Sequence, residues 1–124
     1  MELRNEITCM FPLPYQEDEY PAVVFRANVV DDPVHFVITS NRELLRRTDQ
    51  GTEPYRYTGE LPVYATVYYQ SGTRRYLGTS PTIRHGDYRM IACVDGKWVP
   101  AYLREIGFML IFKDGKLVNY RIKN

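Results

Sequence analysis

Cysteine, histidine, lysine and long apolar runs are all scarce in this chain. The two cysteines, Cys9 and Cys93, are far apart and form no C-x-x-C spacing, which predicts two separate thiols in a reducing compartment. The longest apolar runs, such as Phe108 to Phe112, have the length of a strand and are too short to cross a bilayer. Residues 1–15 contain no continuous apolar segment of the kind that a secretory signal needs. We therefore expect a cytoplasmic protein, or one incorporated into a particle assembled inside the cell, with no membrane partner.

Residues suited to catalysis or to metal binding are also few. Two histidines and two cysteines are scattered without the spacing of a zinc site, so we expect no metal and no cofactor. The nucleophile motif G-x-S-x-G and the phosphate-binding motif G-x-G-x-x-G are absent. The enzymatic candidate is a polar turn that holds His85 and Asp87, where the carboxylate would orient the imidazole. A small His-dependent hydrolase or isomerase is thus a second alternative to the non-enzymatic function that we expect.

The abundant features point to β-structure. The chain has 124 residues, 44% of them apolar and 25% charged, which suits one self-sufficient globular core. Eleven tyrosines raise the aromatic content, and aromatic residues favour strands. Apolar residues alternate from Val23 to Val29 and again from Val34 to Ile38, and the Asp31-Asp32-Pro33 turn between them predicts a hairpin.

Three short loops predict further hairpins: Ser71-Gly72, Asp95-Gly96 and Asp114-Gly115. A two-residue turn at Asp95-Gly96 places Ala92 opposite Val99 on the core side and Cys93 opposite Trp98 on the other side. The same rule at Asp114-Gly115 places Ile111 opposite Val118.

The predicted fold is all-β: an antiparallel sandwich or small barrel of about seven or eight strands. One short helix is expected at about residues 41–48, because Ser40 and Glu43 have capping-box spacing before Leu44 and Leu45. Residues 1–21 read as an extended N-terminal arm, rich in proline and acidic side chains, and residues 22–124 as a single β domain.

The strongest candidate site is a hairpin rich in tyrosine and arginine. If Ser71-Gly72 is its loop, Tyr68 lies opposite Arg75 and Tyr69 opposite Arg74, which favours stacking of a guanidinium on a ring. Such a surface suits protein contacts, and the stacking of bases or sugars is the alternative. The predicted binding residues are Tyr64, Tyr68, Tyr69, Arg74, Arg75 and Tyr76.

The two halves of the chain differ in the sign of their net charge. Residues 1–60 hold 6 Lys and Arg against 11 Asp and Glu, whereas residues 61–124 hold 10 against 4. Opposed charges favour head-to-tail contact between copies.

We expect a non-enzymatic binding or assembly protein that contacts protein subunits, its own or others, such as a structural component of a phage or virus-like particle. Its arm would contact a neighbour through Phe11, Leu13 and Tyr15. The alternative is a binding module for single-stranded nucleic acid or carbohydrate.

Overall fold

The computed structural model describes residues 3–15, 18–20, 23–87 and 89–123, and in these residues the chain forms strands, turns and loops without a helix. The all-β prediction is therefore confirmed. The strands are β1 Asn5–Cys9, β2 Leu13–Tyr15, β3 Asp18–Tyr20, β4 Val23–Ala27, β5 His35–Ile38, β6 Leu44–Thr48, β7 Gly51–Pro54, β8 Gly59–Gln70, β9 Tyr76–Gly78, β10 Ile83–Gly86, β11 Arg89–Val94, β12 Lys97–Lys113 and β13 Lys116–Ile122.

Eleven of the described strands form one mixed sheet, and β2 and β3 form a separate antiparallel pair. The order is β10-β11-β12-β8-β4-β1-β5-β6-β7, with β13 paired to β12 and β9 paired to β8. The order has two ends, so the sheet of the described residues is not closed into a barrel, and it has more than the predicted seven or eight strands. One pair, β1 with β5, is parallel, which the antiparallel prediction did not include.

The contact pattern separates two compact units. Unit 1 comprises Met1–Ala65 and Gly107–Asn124, and unit 2 comprises Thr66–Ile106. The long strands β8 and β12 each contribute residues to both units.

The core of unit 1 is built from alternating apolar residues. In β1 and β4, every second side chain is buried while the residues between them are at least partly exposed. The rings of Phe25 and Phe108 meet edge-on at 5.8 Å, and those of Tyr57 and Phe112 at 5.9 Å. The fully buried large side chains of this unit are Ile7, Leu13, Phe25, Phe36, Ile38, Leu44, Leu61, Phe108, Leu110, Phe112 and Leu117.

The N-terminal residues 5–9 lie inside the sheet, so the extended arm predicted for residues 1–21 does not describe them. Strand β1 pairs with β4 on one side and with β5 on the other. The pattern Asn-Glu-Ile-Thr-Cys alternates buried and half-buried positions, which suits a strand with one core face. Because β1 occupies the place between them, β4 and β5 do not form the hairpin that the Asp31-Asp32-Pro33 turn predicted.

The connection from β4 to β5 is held by the side chain of Asn5, which is fully buried. Its Oδ1 accepts hydrogen bonds from the amides of Val29 at 2.7 Å and Val30 at 2.9 Å. Its Nδ2 donates to the carbonyls of Asp32 at 2.7 Å and Val34 at 3.4 Å. One amide side chain thereby satisfies backbone groups along the whole connection that passes the beginning of β1.

The predicted helix at residues 41–48 is wrong, since Leu44–Thr48 is strand β6. A turn precedes it, in which Arg42 has φ 69° and its amide donates to the carbonyl of Thr39 at 2.9 Å. Leu44 is buried and pairs with Ile38 of β5, while β7 pairs with the other side of the strand. Strand partners on both sides outweigh the local capping signal, because helix propensity is a weak preference that tertiary contacts override.

The two Asp-Gly hairpins are present, and one has the predicted register. At Asp95-Gly96 both residues have positive φ, Ala92 lies opposite Val99 and Cys93 opposite Trp98, as predicted. At Asp114-Gly115 the φ values are 52° and 80°, but a bulge shifts the pairing so that Ile111 lies opposite Asn119 instead of Val118. A bulge adds one residue to one strand, and the turn residues alone carry no signal for it.

We predict that Asn5→Ala lowers the free energy of unfolding by about 3 kcal/mol, because it leaves four part-buried backbone groups, two amides and two carbonyls, without their side-chain partner. The matched control is Asn28→Ala, whose exposed Oδ1 accepts one bond, from the amide of Arg4. We expect this control to cost less than about 1 kcal/mol. Urea unfolding of both variants measures the difference, and equal losses would contradict the role of Asn5.

We predict that Gly115→Ala destabilises the fold more than Gly96→Ala does. Both glycines have φ 80°, so alanine is strained at either position by about 1–2 kcal/mol. A Cβ at Gly115 would lie 2.6 Å from the carbonyl oxygen of Tyr55, whereas one at Gly96 would meet no atom within 4 Å. The clash adds about 1–3 kcal/mol. Denaturant midpoints compare the variants, and similar values would show that this close approach does not exist.

Candidate binding face

The tyrosine-rich hairpin forms, but its predicted pairs are wrong. Tyr69 lies opposite Tyr76 and Tyr68 opposite Gly78, with a register shift between them. The loop is longer than two residues, because the amide of Gln70 donates to the carbonyl of Arg75 at 2.8 Å. Arg74 has φ 57°, a left-handed conformation that closes this longer loop. The predicted stacking of Arg75 on Tyr68 and of Arg74 on Tyr69 therefore does not follow from the pairing.

The predicted tyrosines of β8 are divided between the two faces of the strand. Along β8 the side chains alternate, so that Tyr69 is buried whereas Tyr64 and Tyr68 lie on the more exposed face. Tyr64 belongs to unit 1, where its hydroxyl accepts a hydrogen bond from Nζ of Lys123 at 2.7 Å. Tyr76 is half-buried, with its ring centroid 5.6 Å from that of Tyr69.

The predicted arm contacts Phe11 and Leu13 pack within unit 1. Arg42 places its guanidinium 4.5 Å from the centre of the Phe11 ring, and the ring of Tyr120 lies at 6.3 Å. Leu13 is buried. Tyr15 belongs to β2 and pairs with Asp18 of β3. Phe11 and Leu13 thus contribute to the packing of their own chain.

One face of unit 2 carries the most exposed aromatic surface among the described residues of this unit. Trp98 is 44% exposed and Tyr102 is 38% exposed. Both lie on the same face of β12, with Pro100 between them. The register sets Cys93 opposite Trp98, Ile91 opposite Pro100 and Arg84 opposite Ile91, so these side chains share one face. We call this surface the aromatic face; its residues are Arg84, Ile91, Cys93, Trp98, Pro100 and Tyr102.

Two ring contacts hold side chains of the aromatic face in place. The guanidinium carbon of Arg84 lies 5.0 Å from the centre of the Trp98 ring, within the range of a cation–π contact. At the other end, Tyr102 stacks on the buried ring of Tyr69, with centroids 5.4 Å apart and planes 15° apart. A rigid aromatic side chain loses little entropy on binding, which suits it to anchor a contact.

A cavity of about 310 Å³ adjoins this face in unit 2. It brings together two predicted residues, Arg75 and Tyr76, with the exposed thiol of Cys93. Nη1 of Arg75 lies 3.2 Å from Oδ2 of Asp95 in the neighbouring turn. Arg75 is therefore held at the rim by an ion pair.

The catalytic candidate at His85 does not assemble. His85 is exposed on β10, opposite Met90, and Asp87 is exposed in the following turn. Within the described part of the chain, no hydrogen bond joins the imidazole to this carboxylate. The described residues also contain no group of three or more His, Cys, Asp or Glu side chains that could hold a metal ion.

Sequence reasoning missed Trp98 and Tyr102 as site residues. The signal was present in the Asp95-Gly96 register, which already placed Cys93 and Trp98 on the side away from the core. Exposure of the whole face depends on which strands cover it, and the hairpin alone does not show that.

Comparisons with protein-family models, with curated proteins and with solved structures find no match to this chain. Among the described residues there is no helix long and apolar enough to span a membrane.

We predict that the two cysteines differ sharply in reactivity. Both are free thiols. Cys93 is exposed, whereas burial raises the pKa of the Cys9 thiol from 9.0 to about 12. At pH 8 the Cys9 thiolate is therefore far too scarce to react, because the thiolate is the nucleophile.

Iodoacetamide labelling of the native protein, followed by mass spectrometry, should modify Cys93 and leave Cys9 unmodified. The variant Cys93→Ser should take up label only after unfolding. Equal labelling of both thiols in the native protein would contradict the burial of Cys9.

Proposed function

We propose that this protein is a non-enzymatic binding and assembly component that contacts protein subunits through the aromatic face of unit 2. Support comes from the exposure of Trp98 and Tyr102 on one strand face, with Pro100 between them. Tryptophan and tyrosine are enriched among residues that dominate protein interfaces. Contiguous exposed apolar surface with a polar rim is typical of interaction sites.

The preferred partner is a second copy of the chain, in head-to-tail contact. Unit 2 holds six Arg and Lys against three Asp and Glu, whereas unit 1 holds ten against twelve. The basic unit of one copy is thus complementary in charge to the acidic unit of the next. A contact between two different surfaces continues from copy to copy, which suits a structural component of a larger particle.

We predict that Trp98→Ala weakens self-association by about tenfold or more, because removing an interface anchor costs at least 1.4 kcal/mol, roughly a factor of ten. Sedimentation equilibrium over a range of protein concentrations measures the dissociation constant. The control is Leu103→Ala, which removes an equally exposed side chain, 44%, from the other face of the same strand of unit 2. We expect the control to associate like the parent protein.

A parent protein that remains monomeric at millimolar concentration would contradict self-assembly. Equal weakening by both variants would contradict the assignment of the contact to the aromatic face. Single-stranded nucleic acid is the alternative ligand, favoured by the basic charge of unit 2 and the Arg84–Trp98 contact. A labelled oligonucleotide that binds at low salt, loses affinity steeply with added salt and no longer binds Trp98→Ala would assign the aromatic face to that ligand instead.

A further inference from the structure

A cluster of polar side chains crosses three adjacent strands on the exposed side of unit 1. Glu6 of β1 lies opposite Arg26 of β4 and His35 of β5. Its Oε1 is 3.1 Å from Nη2 of Arg26, and its Oε2 is 3.5 Å from Nδ1 of His35. The other ring nitrogen of His35, Nε2, is 2.9 Å from the hydroxyl of Thr8.

An open surface cavity of about 220 Å³ lies beside this cluster. Arg26, Glu6 and His35 line it together with a second arginine, Arg4. Pro33 and Val34 provide an apolar part of the wall. The lining thus contains two guanidinium groups, one imidazole and one carboxylate.

The cavity wall is held in place before any ligand arrives. Asn5 fixes the connection that contains Pro33 and Val34 through its bonds to Val29, Val30, Asp32 and Val34. Arg4 is anchored by a bond from Nη1 to the carbonyl of Asp31 at 3.1 Å. A site whose groups are already ordered loses less entropy on binding.

Donor capacity remains on both arginines. Arg26 uses Nη2 on Glu6 and Arg4 uses Nη1 on Asp31, while a guanidinium offers five N–H donors. No other side-chain partner of these two guanidiniums occurs among the described residues. Planar arrays of N–H donors match the oxygens of carboxylate and phosphate.

We propose that this cavity binds a small oxyanion, a carboxylate or a phosphate, between the guanidinium groups of Arg4 and Arg26. His35 lies at the side of the site, in contact with Thr8 and with one oxygen of the Glu6 carboxylate. Glu6 limits the affinity, because it is a like charge beside the bound anion and shares Arg26 with it.

Titration with inorganic phosphate, and separately with acetate, tests the proposal at constant ionic strength maintained with chloride. NMR follows the ring protons of His35 and the Nε–H groups of the arginines. We expect saturable shifts with a dissociation constant on the order of 1 mM for at least one of the two anions. The anion that binds more tightly identifies the chemistry that the cavity prefers.

A second arginine–glutamate pair of unit 1 provides a matched control. Nη2 of Arg121 lies 3.1 Å from Oε1 of Glu60, with side chains 61% and 55% exposed, against 57% and 42% for Arg26 and Glu6. Arg121 and Glu60 do not line the cavity. Arg26→Gln should weaken anion binding by about tenfold, since it removes charge-assisted hydrogen bonds, and Arg121→Gln should leave it unchanged.

The variant Glu6→Gln should strengthen binding several-fold, because it removes the like charge and releases Arg26. Shifts that do not saturate with either anion would overturn the proposal, as would equal weakening by Arg26→Gln and Arg121→Gln, which indicates a general charge effect. Neither result bears on self-association through unit 2, so either proposal can fail without the other.

Discussion

Unit 1 depends on the burial of one amide side chain, that of Asn5. Strand β1 lies between β4 and β5, so the chain must pass the beginning of β1 as it leaves one neighbour and enters the other. Backbone groups in that connection need partners, since an unpaired buried group is costly. Asn5 supplies both donors and an acceptor from a single buried position. The parallel pairing of β1 with β5 and the wall of the proposed anion cavity both depend on this contact.

The two proposed sites use different physical chemistry. The aromatic face of unit 2 presents rings whose binding energy comes from removing apolar surface from water, and it suits a large partner. The cavity of unit 1 presents guanidinium groups held by a carboxylate and a carbonyl, and it suits a small ion.

Part of the candidate site could be read from the sequence and part could not. The Asp95-Gly96 turn determines a register by itself, so the pairing of Cys93 with Trp98 was predictable. The loop after Gln70 contains no such constraint, and an arginine with left-handed φ lengthens it, so the tyrosine–arginine pairs were not predictable. The cluster around His35 joins residues from three strands that are distant in sequence, and it exists only after β1 is inserted.

The sequence by itself determined that the chain forms strands, that Val23, Phe25 and Ala27 face a core, and where the two Asp-Gly hairpins turn. These are local properties, set by alternation of side chains and by the backbone freedom of a few residues. Only the tertiary structure decided that residues 5–9 lie inside the sheet and that Leu44–Thr48 is a strand. Strand pairing joins residues far apart in the chain, and its energy comes from partners that no local pattern specifies.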